Sequence, residues 1–139
     1  MNDEVAIQQT LNRYSEAASR ADWDAVITTF NPDAVWEIVA LGMKFQGHAA
    51  LREAMSGFMK GMDYFAQINA PAVITITGDL ATARSVIREV GKFGDRDEVF
   101  ETLGFYNDTL VRTLEGWKFI HRIFVRRGKH EYKVNNVSR

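Results

Sequence analysis

The sequence predicts a single α+β domain in which helices come first and an antiparallel sheet follows. Within the first 62 residues, three segments place apolar side chains at helical spacing. After residue 69, apolar and polar side chains alternate, and glycine-containing reversals separate the alternating runs. Helices and strands that are segregated in this way are typical of α+β domains. The length of 139 residues is that of one domain with its own core.

Three helices are predicted in the first part of the chain. The first covers residues 3–20, and its apolar residues form one face: Ile7, Leu11, Tyr14 and Ala18. Asp22 is the expected N-cap of a second helix that extends to Phe30. A third helix follows Gly47, carries Leu51, Met55, Phe58 and Met62 at helical spacing, and has Gly61 near its end.

The remaining elements are predicted to be strands that pair through tight reversals. Their ranges are 35–45 with a bend at Gly42, 69–77, 80–90, 99–114 and 117–125. Gly78-Asp79 and Glu115-Gly116 are the expected reversals. We assign residues 1–127 to the domain and residues 128–139 to a polar C-terminal tail.

Charge and composition exclude several classes of function. Seventeen Lys and Arg residues nearly balance eighteen Asp and Glu residues, so no global field would attract nucleic acid or an anionic membrane. The chain starts with an acidic segment, and no apolar run approaches the ~18 residues of a membrane span. The absence of cysteine excludes disulfides and thiolate chemistry and is compatible with a reducing compartment. We therefore expect a cytoplasmic protein without a nucleic-acid or membrane partner.

A set of short motifs resembles the SnoaL-like part of the NTF2-like superfamily, which has a cystatin-like fold. The resemblance extends from about Ile7 to Phe124. The motifs are Tyr14, Asp22-Trp23-Asp24-Ala25, Phe30, Asp33-Ala34-Val35, Gly47, the segment 78–85, Tyr106-Asn107-Asp108 and Gly116-Trp117-Lys118-Phe119. This resemblance implies an NTF2-like cone, in which three N-terminal helices pack on a strongly curved antiparallel sheet that encloses a mostly apolar pocket.

The resemblance also implies candidate chemistries. Relatives include scytalone-type and bile-acid dehydratases, ketosteroid isomerase, polyketide cyclases, limonene epoxide hydrolase and binding proteins. The dehydratase pattern has a helix-one tyrosine, an aspartate, a strand tyrosine and a histidine. Tyr14 matches the first, whereas the others fall at Ser19, Ile38 and Gln67. The isomerase base also falls at Ile38, and Glu37 is its neighbour.

Two residues are candidates for catalysis. Tyr14 lies on the apolar face of the first helix and can donate to a developing oxyanion, or it is a core tyrosine bonded to the backbone. His121 lies on the last strand and, if no bulge intervenes, shares a face with Trp117 and Phe119. There it is a candidate base, and the alternative is a structural or dimer-facing histidine.

The candidate ligand-binding residues combine apolar, amide and guanidinium groups: Trp36, Phe58, Met62, Gln67, Asn69 and Arg88. The first three supply apolar surface around the expected pocket. Gln67 and Asn69 can orient a carbonyl or hydroxyl group, or they bond at the end of a strand. Arg88 is a candidate for an anionic ligand, with a role on the sheet surface as the alternative.

No metal or organic cofactor is expected. His48, His121 and His130 belong to different elements and lack metal-ligand spacing, and the sequence contains no phosphate loop or dinucleotide motif.

Two functions follow from this interpretation. The first is a cofactor-free lyase, isomerase or cyclase that acts by proton transfer on a small hydrophobic, cyclic or polyketide-like molecule. The second is a non-catalytic protein that binds such a molecule in the same pocket. A more distant alternative is a small structural subunit of an oxygenase. We also expect a homodimer through the outer sheet face, because helices cover only one face of the sheet.

Overall fold

The computed structural model describes residues 2–134 and contains three helices and seven strands in that range. The helices are α1 (Asp3–Ser19), α2 (Trp23–Thr28) and α3 (His48–Met59). The strands are β1 (Phe30–Ile38), β2 (Met43–Gln46), β3 (Met62–Asn69), β4 (Val73–Thr77), β5 (Leu80–Phe93), β6 (Glu98–Thr113) and β7 (Gly116–Lys133). None of the helices among these residues has the length and apolar character needed to cross a membrane.

All seven strands belong to one curved sheet in the order β2-β1-β7-β6-β5-β3, and β4 also pairs with β5. The prediction of an α+β domain is confirmed, but the sheet is mixed rather than antiparallel. Strand β1 runs parallel to β7, and the amide of Phe119 donates to the carbonyl of Thr29 at 2.9 Å just before β1 begins. The two strands therefore start side by side at the same end of the sheet.

Local signals account for the ends of the helices. Asn2 Oδ1 accepts a hydrogen bond from the Val5 amide at 2.8 Å and caps α1. Asp22 caps α2 as predicted, because its carboxylate accepts from the Ala25 amide at 3.1 Å. Helix α2 ends at Thr28, two residues earlier than predicted, since Phe30 already belongs to β1.

Two of the predicted strands are divided by turns. The 35–45 segment folds into β1 and β2 around a 3-10 turn at Val39–Leu41, with Gly42 in the left-handed region at φ 62°. The 69–77 segment is interrupted at Pro71, which lacks an amide for the ladder. Met62 starts β3 instead of ending α3, because Gly61 adopts φ 81° and terminates the helical segment.

Strand β7 contains two bulges and is longer than predicted. It continues to Lys133, so residues 128–133 of the expected tail pair with β6, whereas residues 135–139 lie outside the described residues. The first bulge leaves Ile120 without a partner on β6, and the second does the same for Arg127. Each extra residue reverses which side chains of β7 face the helices.

The first bulge places the charged side chain of Arg122 in the core. Its side chain is fully buried, and Nε donates to Asp108 Oδ1 at 2.9 Å. The guanidinium carbon lies 3.6 Å from the ring centre of Tyr106, 4.1 Å from that of Tyr14 and 4.3 Å from that of Phe119. Burial raises the pKa of Asp108 to about 6, although Arg122 acts in the opposite direction. The pair is thus an ionic contact inside an aromatic core.

We predict that Asp108→Leu will destabilise the fold by about 3–5 kcal/mol, because it leaves a buried guanidinium without its anion. The double variant Asp108→Leu/Arg122→Met should recover more than half of this loss. Free energies of unfolding from urea titration at neutral pH measure both effects. Glu101→Gln, which removes the partner of the exposed Arg88, should cost less than about 1 kcal/mol. A double variant as unstable as Asp108→Leu would contradict the interpretation.

Candidate functional site

A cavity of about 260 Å³ lies between the end of α3, the turn after β1 and the inner face of strands β5, β6 and β7. Its apolar lining residues are Trp36, Ile38, Ala40, Leu41, Phe58, Met59, Met62, Phe93, Phe100 and Phe124. Its polar lining residues are Glu89, Thr102, Tyr106, Arg126 and Lys129. The rim includes Leu41 and Phe58, which are exposed to solvent. The cavity is therefore an open, mostly hydrophobic site.

Aromatic rings form one wall of the cavity. Trp36 lies on the inner face of β1 and contacts Phe45 and Phe58, with ring centres 5.7 Å and 6.0 Å away. Phe58 comes from the last turns of α3 and contacts Phe45 edge-on at 6.2 Å. These ring contacts, of which the two made by Phe58 are T-shaped, hold the rings in position and keep an apolar surface available.

Glu89 is the acidic residue of the cavity wall. The Gln67 amide Nε2 donates to Glu89 Oε2 at 2.9 Å, and Gln67 Oε1 accepts from the Ser15 hydroxyl at 2.8 Å. The Ser19 hydroxyl accepts from the Gln67 backbone amide at 2.9 Å. Burial raises the pKa of Glu89 above its ordinary value, while the Gln67 hydrogen bond and the charge of Arg122 oppose this shift. The site thus holds an oriented carboxyl group whose basicity is increased.

Tyr106 presents a hydroxyl-bearing ring to the cavity. Its hydroxyl oxygen lies 3.2 Å from that of Tyr14, so one of the two donates to the other. Burial raises the pKa of both phenols, and that of Tyr14 is well above the usual range. Both groups therefore remain neutral and can donate hydrogen bonds.

The structure brings together some of the predicted site residues and separates others. Trp36, Phe58 and Met62 line the cavity. Gln67 is buried and holds Glu89, and Tyr14 is buried behind Tyr106. The other three predicted residues do not line the cavity: Asn69, Arg88 and His121.

His121 lies on the opposite face of the sheet from the cavity. The expectation that it shares a face with Trp117 and Phe119 does not hold, because the bulge at Ile120 reverses the alternation. Its Nε2 lies 3.1 Å from Glu37 Oε2 on the outer face, and its side chain is 39% exposed. A role for His121 as the base in the cavity is therefore geometrically unsupported.

Arg88 and Asn69 also have partners outside the cavity. Arg88 lies on the outer face and forms a bidentate pair with Glu101 at 3.0 and 3.2 Å. Asn69 Nδ2 donates to Asn12 Oδ1 at 3.3 Å, on the side of the sheet covered by α1. These contacts correspond to the surface and strand-end alternatives considered for the two residues.

Sequence reasoning missed Glu89 as a site residue, although a signal for it was present. Ala81, Ala83, Ser85 and Ile87 alternate along β5 and all face inward. Continuing the same alternation places Glu89 on the inner face, opposite to Arg88. An acidic residue in register with a buried apolar face is a signal of a functional group.

Two serines of α1 contact Gln67. The resemblance placed the aspartate of the dehydratase pattern at Ser19, whose hydroxyl accepts from the Gln67 backbone amide, whereas the side chain that bonds to the Gln67 amide oxygen is that of Ser15, one turn earlier. Among residues 2–134, no group of three or more His, Asp or Glu side chains is arranged to hold a metal ion.

Comparisons with known proteins agree with this architecture. Residues 1–123 match the SnoaL-like domain family. An uncharacterized protein of Mycobacterium tuberculosis strain H37Rv is 29% identical over 124 residues, which cover 88% of this chain and 84% of the relative. A crystal structure of a "putative aromatic ring hydroxylase" from Novosphingobium aromaticivorans is 27% identical with a TM-score of 0.86, and the match covers 94% of this chain and 93% of that one.

Two further solved structures share the fold at lower identity. A "putative scytalone dehydratase" from the same Novosphingobium species is 21% identical with a TM-score of 0.84, over 94% of this chain and 87% of that one. A type-3 hexachlorocyclohexane dehydrochlorinase from Novosphingobium barchaimii is 12% identical with a TM-score of 0.85, over 97% and 94%. The family match over residues 1–123, together with the mixed curved sheet and its three helices, shows that this chain belongs to the SnoaL-like family of the NTF2-like superfamily.

Proposed function

We propose that this protein binds a small, mostly hydrophobic molecule in the cavity and moves a proton on it through Glu89, as a cofactor-independent lyase or isomerase. The observation that carries this proposal is a single carboxyl group, with a pKa raised by burial, in the wall of an apolar cavity. Burying such a group disfavours its charged form, and Glu89, unlike the buried Asp108, has no cation paired with it among residues 2–134 and lines a cavity, which favours a functional role. The alternative is a binding protein that uses the same cavity without turnover.

The volume of the cavity limits the size of the ligand. A cavity of ~150 Å³ accommodates benzene, so about 260 Å³ leaves room for a bicyclic molecule. The lining is mainly aromatic and aliphatic, with few polar groups that can fix an orientation. A flat molecule of one or two rings satisfies both conditions.

Glu89 and Tyr106, two polar residues of the cavity, are suited to the removal of a proton from a carbon atom of the ligand. The Glu89 carboxylate would accept the proton, and the electron pair of the broken C–H bond would form a double bond to the adjacent carbon. In an isomerisation, the charge moves onto a carbonyl oxygen, which the Tyr106 hydroxyl can stabilise as a donor. In an elimination, hydroxide or halide leaves with its electron pair. The dehydratase and dehydrochlorinase among the structural neighbours are named for eliminations of this type.

The structure favours a different assignment of roles from the one drawn from sequence. Tyr106 rather than Tyr14 reaches the cavity, and Tyr14 supports it through the 3.2 Å contact between their hydroxyls. Glu89 takes the place of His121 as the proposed base.

We predict that Glu89→Gln will abolish proton abstraction while preserving the fold, because an amide can still accept from Gln67 but cannot take a proton. A suitable probe is 1-tetralone, a bicyclic ketone, whose exchange of α-protons in D₂O is followed by NMR. The wild-type protein should accelerate exchange, and Glu89→Gln should reduce this acceleration by at least ~100-fold. Glu101→Gln on the outer face is the matched control and should have no effect.

The same experiment separates the two functions. Acceleration that survives in Glu89→Gln would disprove its role as the base. Binding of 1-tetralone without acceleration by the wild-type protein would support the binding-protein alternative. Absence of both binding and acceleration would count against the cavity as a site for cyclic ketones.

The acceleration is expected to increase with pH through an apparent pKa above 4.5, because burial raises the pKa of Glu89 from that value and only the carboxylate can accept a proton. Rates measured between ~pH 3.5 and ~pH 9 should therefore show an acidic limb, which Glu89→Gln should lack. A midpoint at or below 4.5 would show that another group controls the rate.

We also propose that two copies associate through the outer face of the sheet. Val86 and Phe105 are cross-strand neighbours in the centre of this face, and they are 52% and 37% exposed. An apolar patch that contacts its own copy forms a closed two-fold interface.

Light scattering should give the mass of two chains for the wild-type protein and of one chain for Phe105→Glu, because the introduced charge would be buried at the interface. Leu114→Glu, at the exposed turn after β6, is the control and should remain dimeric. A monomeric wild-type protein would exclude the interface.

A further inference from the structure

We propose that Arg126 forms an anion-binding subsite at the mouth of the cavity, and that the natural ligand is therefore a hydrophobic carboxylate. This inference depends on the proposed function, since it assumes that a small molecule occupies the cavity. It adds a charged end to that molecule and assigns the residue that recognises it.

Arg126 lies at the open end of the cavity. Arg126 and Lys129 are the cationic residues that line the cavity, and both are exposed at its open end. Glu89 is the acidic lining residue and is shielded from solvent enough to raise its pKa. An anionic group would be repelled by the Glu89 carboxylate and attracted to the mouth. The cavity thus orients a ligand with one anionic end.

The side chain of Arg126 is also available to bind a ligand. Within residues 2–134, Arg126 makes no hydrogen bond or ion pair to another side chain. Arg122, which also faces inward on β7, is paired with Asp108, and Lys129 is 3.1 Å from Glu131. The guanidinium of Arg126 therefore has all its donors available for a planar acceptor such as a carboxylate, which it can bind in a bidentate manner.

The backbone of β7 around Arg127 directs both Arg126 and Lys129 to the cavity. The bulge at Arg127 gives Arg126 and Lys129 the same inward orientation. Gly104 lies opposite this bulge, where a Cβ would come within 2.4 Å of the Val125 carbonyl oxygen. Only glycine permits this close approach of β6 to β7 beside Arg126.

The test compares two isosteric probes by isothermal titration calorimetry at neutral pH and low salt. The probes are 2-naphthoate, which carries a carboxylate, and 2-naphthamide, which is neutral. The wild-type protein should bind 2-naphthoate about fivefold more tightly, the preference expected for an ion pair near the surface. Arg126→Gln should remove this preference and leave the affinity for 2-naphthamide unchanged.

Arg127→Gln is the matched control. Arg127 is the neighbouring residue, has the same charge, is also exposed and does not line the cavity. It should retain the preference for 2-naphthoate. An equal loss in Arg126→Gln and Arg127→Gln would indicate a general field effect and would overturn the subsite.

The outcomes also distinguish the subsite from the proposed function. Equal affinity of the wild-type protein for both probes would overturn the anion subsite and leave hydrophobic binding in the cavity intact. Failure of both probes to bind would count against the proposed ligand site itself, and the subsite would be abandoned with it.

Discussion

The buried guanidinium of Arg122 is the interaction around which the inner face of the sheet is organised. A charge without solvent is costly unless anions and polarisable groups surround it. Here Asp108 supplies the anion, and the rings of Tyr14, Tyr106 and Phe119 supply π-faces within 4.3 Å. These residues come from α1, β6 and β7, so the single charge connects the helical layer to the centre of the sheet.

The same charge affects the chemistry of the cavity. Burial raises the pKa of Glu89, and the field of Arg122 lowers it, with burial as the larger effect. The result is a carboxyl that is more basic than one in water but is still stabilised as an anion. A general base is most effective when its pKa approaches the working pH. The structural arginine and the proposed base are therefore electrostatically coupled although they do not form an ion pair.

Much of the fold could be predicted because apolar residues recur along its helices and strands at the spacing typical of each. The helices and the β4–β5 and β6–β7 hairpins follow from apolar spacing and from glycine reversals, which act within a few residues. The parallel pairing of β1 with β7 could not be predicted in this way, because it depends on contacts between distant parts of the chain. The sequence contains one sign of the bulge at Ile120. Phe119 and Phe124 of β7 both face inward although they are an odd number of residues apart, whereas a regular strand would separate them by an even number.

The site was predicted less completely for a related reason. Trp36, Phe58 and Met62 were found because large apolar residues crowd the region of the cavity. His121 was expected to face the cavity only if β7 had no bulge, and the bulge at Ile120 turns it to the outer face. Glu89 was overlooked because the resemblance directed attention to the positions of a histidine–aspartate dyad, where this chain has Gln67 and a helix-one serine.

This chain has Gln67 where the dehydratase pattern has a histidine. The difference changes where a proton taken up by Glu89 can go. Gln67 Oε1 accepts from Ser15, so its Nε2 must be the atom that donates to Glu89. An amide donor can hold the carboxylate in place but cannot receive a proton from it. A proton that Glu89 removes from a ligand can therefore leave only through the cavity. It returns to another carbon of the same ligand, as in an isomerisation, joins a departing hydroxide as water, as in a dehydration, or exchanges with water at the open mouth. The hydrogen bonds that hold the carboxyl thus provide no proton relay on the protein side, so the proton can pass only to the ligand, to its leaving group or to water that enters the cavity.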